Sequence, residues 1–246
     1  MNRNIKFSII TPCMNSAGTI RRTLQSIINQ TYQNFEYIIV DGKSTDGTLK
    51  IAAEYKEILQ DRMHIISEPD DGIYDAMNKG IKMATGDIIG IVNSDDFYED
   101  DCLLNVLSGF SWDNGKYQIL YGGMRCLSAE GDMKSEVFYH HKYLEQQMIN
   151  HPASFVTKAL YTEFGAYDHK YKSAADLDFF LRMKKNKEVN FIPIYLTLTN
   201  FRPGGMSGSY IGGRETIIVK YKNGVISCKV YLFDRLKIYV KKILKM

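Results

Sequence analysis

Residues 87–96 read Asp-Ile-Ile-Gly-Ile-Val-Asn-Ser-Asp-Asp. The apolar run is unbroken instead of alternating, which suits a strand buried on both faces, and its two adjacent carboxylates mark the end that meets solvent. The same unit recurs upstream. Phe7-Ser-Ile-Ile-Thr11 is an apolar run, followed by Ile20, Leu24, Ile27 and Ile28 at helical spacing. Phe35-Glu-Tyr-Ile-Ile-Val40 predicts a second strand, with Ser44-Thr45-Asp46 as caps for a helix over Leu49 to Ile58. His64-Ile-Ile-Ser67 predicts a third strand, and Asp70-Asp71-Gly72 opens a helix carrying Ile73, Met77 and Ile81. Strand starts about 30 residues apart, with helices between, imply βαβ crossovers in a parallel sheet, an α/β architecture.

Open sheets of this kind bind ligands beyond the carboxyl ends of their strands. Thr11 and Asn15 follow the first strand, Asp41 the second, Glu68, Asp70 and Asp71 the third, and Asp95-Asp96 the fourth. Carboxylates gathered on one edge repel each other, and burying them unpaired costs several kcal/mol, so the rim asks for a cation. Oxygen ligands without a Cys or His cluster favour Mg²⁺ or Mn²⁺, which binds through one or two carboxylates plus substrate phosphates. Asp41, Asp70 and Asp71 taken singly also suit loop starts and helix caps; the Asp95-Asp96 pair is the stronger signal. No G-x-G-x-x-G follows the first strand and no G-x-x-x-x-G-K-[ST] occurs. A diphosphate would then rely on carboxylates, metal and scattered donors such as Lys43, Asn78 and Lys79.

At 246 residues, 45% hydrophobic and 24% charged with only 5 prolines, the composition excludes disordered and collagen-like classes and permits one large α/β unit. Cys13, Cys102, Cys126 and Cys228 form no C-x-x-C pair, so free thiols in a reducing, cytoplasmic setting are expected. The apolar run after Arg3 is too short for a signal peptide, and no stretch is long enough to span a bilayer. Net charge is +3, yet residues 229–246 carry six basic side chains (Lys229, Arg235, Lys237, Lys241, Lys242 and Lys245) against Asp234 alone. The rest is slightly acidic, which argues against nucleic acid as a partner.

Ser8-Ile-Ile-Thr-Pro12 with Asn15, Val40-Asp-Gly-Lys-Ser-Thr-Asp-Gly-Thr48, Asp71-Gly-Ile-Tyr-Asp-Ala-Met-Asn-Lys-Gly80 and Asn93-Ser-Asp-Asp96 together resemble the family 2 glycosyltransferases of bacterial surface polysaccharide synthesis. The resemblance implies a GT-A fold, Rossmann-like with a mostly parallel central sheet flanked by helices. It also implies a UDP-sugar donor, a divalent metal and inversion at the anomeric carbon. By the same resemblance Pro12 and Asn15 border the nucleotide and Asp41 accepts a hydrogen bond from the base. Asp96, last of the Ser94-Asp95-Asp96 triplet, is the expected metal ligand, and Asp95 holds ribose or sugar. Ala174-Ala-Asp-Leu-Asp-Phe-Phe-Leu-Arg182 resembles the family's acceptor segment, with Asp176 as the base and Asp178 as competitor. His151 falls where a histidine often lies near the diphosphate, whereas His140-His141 reads as a surface pair. Arg202-Pro-Gly-Gly-Met-Ser-Gly-Ser209 has the composition of a flap over the donor.

The expected division is a catalytic domain over 1–210, its nucleotide half ending at 96 and its acceptor half running 97–210, then a tail over 211–246. On a helical wheel Leu232, Phe233, Leu236, Tyr239, Val240, Ile243 and Leu244 share one side of the tail. Asp234, Lys237, Lys241 and Lys245 lie opposite, and Ile238 breaks the pattern. An amphipathic C-terminal helix of this kind suits docking on an anionic membrane surface. That implies a peripheral enzyme on the inner face of the plasma membrane and a polyprenyl-diphosphate-linked saccharide acceptor. The competing readings are a sugar-1-phosphate nucleotidyltransferase and a non-catalytic saccharide- or nucleotide-binding subunit.

Overall fold

The structure, a computed structural model, describes residues 4–128, 131–202 and 210–244, the side chains of Tyr210 and of 239–244 excepted. Strands β1 (Phe7–Cys13), β2 (Phe35–Asp41), β3 (Met63–Ser67) and β4 (Ile88–Ile91) are linked by helices α1 (Ile20–Ile28), α2 (Thr48–Leu59) and α3 (Ile73–Met83). They pair in parallel in the order β3-β2-β1-β4. Alternate residues serve opposite faces, as a pleated strand requires. Phe7, Ile9, Phe35, Tyr37 and Ile39 pack with Leu24, Ile27 and Tyr55 beneath α1 and α2. Ile10, Ile38, Val40, Ile89 and Ile91 pack with Tyr74, Met77 and Ile81 beneath α3. The buried stripe of α3 starts at Tyr74, not at the expected Ile73, which is 38% exposed. Gly80 lets α3 lie close on β1, since a Cβ there would stand 2.5 Å from Ile10.

Beyond Phe97 the sheet changes character. The added strands are β5 (Phe97–Tyr98), β6 (Gln118–Leu127), β7 (Met133–Val137), β8 (Ser154–Thr157) and β9 (Asn190–Phe201). They extend the order as β4-β8-β6-β9-β5, with β7 paired to β6. β8 runs antiparallel to both β4 and β6, β5 antiparallel to β9 and β7 antiparallel to β6, while β6 and β9 are parallel. The expected mostly parallel sheet therefore holds for residues 7–91 and becomes mixed afterwards. Because β6 and β9 run the same way as β4, their carboxyl ends reach the same rim as the acids.

Helices α4 (Cys102–Gly109), α5 (Lys158–Phe164) and α6 (Ala175–Lys185) complete the flanking layers. Helices α7 (Tyr210–Lys222) and α8 (Cys228–Leu244) form a hairpin through Gly224, whose φ of +67° suits the turn. Val219 of α7 is fully buried in the same cluster as Phe179 and Phe180 of α6. Although the expected boundary places α7 in the tail, its side chains pack with the core.

Candidate active site

The loops at the carboxyl ends of β1, β2 and β4 are tied to one another. Asn15, at φ +50°, accepts from the Thr45 N–H at 2.9 Å and donates its own N–H to the Ser44 hydroxyl at 2.8 Å. Ser16 meets Ser94 hydroxyl to hydroxyl at 2.8 Å, joining the first loop to the fourth. Asp46 accepts from the Ala17 N–H at 3.0 Å. Asp41 is fully buried, with Oδ2 accepting from the Ser67 hydroxyl at 2.6 Å and the Ser44 N–H at 3.1 Å. Its Oδ1 faces the Cys13 thiol at 3.8 Å, and burial, with Asp41 adding to it, pushes that thiol up to about 12.

Thr11 and Pro12 lie within β1, and the Thr11 side chain is buried where it accepts from the Tyr37 hydroxyl at 2.9 Å. Two of the scattered donors are occupied internally. The Asn78 amide clamps both backbone groups of Tyr167, at 2.8 and 3.1 Å. The Lys79 ammonium is shared among Glu68, Asp75 and the Pro69 carbonyl. Lys43, at φ +64°, is exposed.

Asp96 is fully buried, its Oδ1 accepting from the Arg202 N–H at 3.1 Å and its Oδ2 from the Asn93 amide at 3.2 Å. Burial first and the neighbouring Asp95 second push the Asp96 carboxyl up to about 8, despite these donors. Burial raises Asp95 as well, with Arg202 opposing it. Beside them Asn93 Oδ1 is buried without a hydrogen-bond partner among the described residues, as is Arg202 Nε. Only Arg202 of the expected flap is described; Pro203 to Ser209 lie outside the described residues.

Across the rim, Asp176 sits in the first turn of α6. Its Oδ1 accepts from the Tyr74 hydroxyl at 3.0 Å and the Leu177 N–H at 2.8 Å, whereas Oδ2 accepts from no described residue. Asp178, two residues on, points about 200° away around the helix. It pairs with Arg182 at 2.8 Å and accepts from Asn223 at 2.9 Å, which ties α6 to α7. His151 is buried, with Nε2 3.0 Å from the Tyr167 hydroxyl, and that hydroxyl meets Tyr161 at 3.0 Å. Burial lowers the His151 pKa, opposed by Asp176. His140 and His141 stand elsewhere, against Tyr121 and Phe138.

The rim is thus continuous from the β2 loop to α6: Asp70 lies against Gly42, Lys172 reaches Asp71 at 2.8 Å, and Tyr74 reaches Asp176. A cavity of about 560 Å³ opens instead beside α1 and β5, lined by Arg22, Phe97, Glu99, Arg125 and Asn200 and by none of the rim acids.

The model of the family described as Glycosyl transferase family 2 matches residues 8–173. The chain belongs to this family. A PGL/p-HBAD biosynthesis glycosyltransferase of Mycobacterium bovis is 32% identical over 207 residues, which cover 83% of this chain and 80% of the relative. Staphylococcus aureus TarS 1-349 in complex with UDP-GlcNAc superposes with a TM-score of 0.72 at 22% identity, over 90% of this chain and 66% of TarS 1-349. Against a longer TarS chain this one spans 39% of the length. The mannosyltransferase PcManGT from Pyrobaculum calidifontis, in complex with GDP-Man and Mn²⁺, gives 0.66 at 17% identity over 96% and 70% of the two chains. These likenesses show the GT-A fold.

A divalent cation fits the donor set of this family 2 chain. Among the described residues no three of His, Cys, Asp or Glu form a metal cage. Two crowded carboxylates, one held well above the usual carboxylate range, and an orphaned amide oxygen are oxygen donors short of positive charge. Two carboxylates with phosphates completing the shell is how Mg²⁺ and Mn²⁺ sit in nucleotide sites.

Sequence reasoning did not single out two residues of the family 2 site. Tyr74 lies inside the Asp71–Gly80 motif, but its pairing with a residue 102 positions away leaves no local signal. Glu215 of α7 accepts from the N–H groups of Lys172, Ser173 and Ala174 at 2.9, 2.7 and 3.2 Å. It thus ties α7 to the three residues that lead into α6, just before the first turn that carries Asp176.

Proposed function

We propose that this family 2 enzyme moves a sugar from a UDP-sugar to a hydroxyl of a saccharide acceptor with inversion at the anomeric carbon. The observation that carries the reading is the continuity of one rim from Asp41 and Asp95-Asp96 to Asp176, with Oδ2 of Asp176 left open. Asp96, with the Asn93 amide oxygen beside it, would hold Mn²⁺ or Mg²⁺, which when bound supplies positive charge to the departing diphosphate, and Asp95 would hold ribose or sugar. Asp41 and the Asn15 loop would receive the nucleoside, and His151 would face the diphosphate side. Asp176 would take the acceptor proton from the side opposite the leaving group, as single displacement with inversion requires.

The acceptor is proposed to be lipid-linked, of the polyprenyl diphosphate type used in bacterial surface polysaccharides such as O-antigen or capsule. The enzyme would then work on the cytoplasmic face of the membrane. The orientation of α8 supports this. Tyr231 stacks on Tyr221 of α7 at 4.5 Å, and Ile238, out of register with the apolar stripe, faces Gly213 of α7. Leu232, Phe233 and Leu236 therefore point outward, 58–59% exposed. No helix among the described residues is long and apolar enough to cross a membrane.

The test is calorimetric binding of UDP with and without Mn²⁺, followed by UDP release from UDP-glucose, UDP-galactose and UDP-N-acetylglucosamine. Metal-dependent binding with turnover of at least one donor supports the reading. Binding without turnover would favour a non-catalytic subunit, and no UDP binding would end the donor assignment.

A further inference from the structure

A carboxylate that acts as a base needs one oxygen presented to the acceptor and its plane held still. Asp176 meets both needs through a single side chain on another element. Tyr74 lies on α3, which follows the acid-bearing β3 loop, and its ring is buried against Tyr167 at a centroid distance of 5.6 Å. That packing aims its hydroxyl at Asp176 Oδ1, where the Leu177 N–H also arrives. Since Oδ1 is filled from two directions, Oδ2 is the oxygen with an open lone pair. The backbone of the Tyr167 loop is in turn clamped by Asn78, one turn further along α3. One helix thus sets both the base and the loop behind it.

We propose that Tyr74 is a positioning residue for the transfer, orienting Asp176 so that Oδ2 receives the acceptor proton. This rests on the role of Asp176 given above. In the step, the acceptor O–H bond breaks and its proton passes to Oδ2. The acceptor oxygen bonds to the anomeric carbon, and the bond from that carbon to the diphosphate breaks, the electron pair leaving with UDP. Tyr74 keeps its own proton throughout; burial and the adjacent Asp176 raise its pKa well above the usual range. The other ionisable groups around Asp176 are His151 on the turn before β8 and Tyr167 in the loop before α6, with Glu215 of α7 beyond Tyr74. On α6 itself, Asp178 and Arg182 pair with each other on another face.

Tyr74→Phe keeps the ring and removes only the hydroxyl. In the full chain, with UDP release from the same three donors as the assay, kcat is expected to fall by about tenfold to a hundredfold with KM for the donor unchanged. A purely structural role would not lower kcat while leaving the donor KM and the melting temperature unchanged. Asp176→Asn run in parallel separates the outcomes. If it is inactive while Tyr74→Phe matches wild type in kcat and KM, Tyr74 has no positioning role and the base assignment stands. If Asp176→Asn keeps its rate, or the wild type turns over none of the donors, both fail. A Tyr74→Phe protein that melts early and loses UDP affinity would assign Tyr74 to packing and overturn the proposal.

Discussion

Up to Asp96 each helix returns the chain to a strand parallel to the last, and the site residues sit on short loops in the order of the sequence. After Phe97 neighbours in the sheet are far apart in the chain: β8 lies between β4 and β6, and β9 runs beside β6 across some 70 residues. The first half holds its polar groups by direct bonds between adjacent loops such as Ser16 to Ser94, whereas the second presents its carboxylate from a helix start braced by α3 and α7. A nucleotide site can be built on repeated local units, but a base must be aimed by elements on several sides. The two halves should therefore fail differently when altered.

The sharpest contrast is between binding and turnover. Asp176→Asn is expected to cut transfer by about 10² to 10⁴, the range of a general base, with UDP affinity within twofold of wild type. Stopped assays alongside calorimetry check this, and a parallel loss of affinity would erase the distinction between the halves. Next in size is an effect on stability confined to the parallel half. Burial alone would raise the Glu36 carboxyl, but hydrogen bonds from Lys6, Ser8 and Thr85 outweigh it and bring it down to about 2. Since the folded value lies below the unfolded one, the contribution is present above about pH 4.5 and lost as pH falls towards 2. It is worth about 3 kcal/mol at neutral pH. Urea unfolding at pH 7 and pH 3 should show that loss in wild type and a flatter profile in Glu36→Gln. A smaller effect is expected at the proposed metal ligand: Asp96→Ala should weaken UDP binding in Mn²⁺ about tenfold or more and leave metal-free binding unchanged. Equal affinity with and without metal would remove Asp96 from the ligand set.

How much was legible follows the same division. The runs Phe7–Thr11, Phe35–Val40 and Asp87–Val92 carry their own evidence, because a strand buried on both faces must be continuously apolar. Carboxylates at their ends mark the rim by position alone. The pairing of β8 between β4 and β6 has no periodicity to reveal it, since antiparallel contacts across long connections depend on tertiary packing. Asn78 and Lys79 read as donors, yet the fold places Tyr167 and Glu68 within their reach, which no spacing announces. A boundary at residue 210, where the family resemblance ends, puts Glu215 in a tail, but it is packing, visible in buried Val219, that joins α7 to the core. Ile238, which broke the wheel, is accounted for once α7 is present to receive it.

The tail offers the mildest test, because it should affect where the enzyme works and not the chemistry. Removing residues 229–246 takes away the exposed Leu232, Phe233 and Leu236 together with six cations, but it leaves α7 with Glu215 and Asn223 in place. UDP release from a soluble donor is expected to stay within about twofold of wild type. Sedimentation with vesicles containing anionic lipid should be lost, whereas the full chain co-sediments and comes off as salt screens the lysines. If the shortened chain still binds vesicles, the docking surface lies elsewhere. If it binds as before but turnover collapses, α8 supports α7 beneath the base, and the division between a chemical core and a docking tail would move from the loop at Gly224 to the end of the chain.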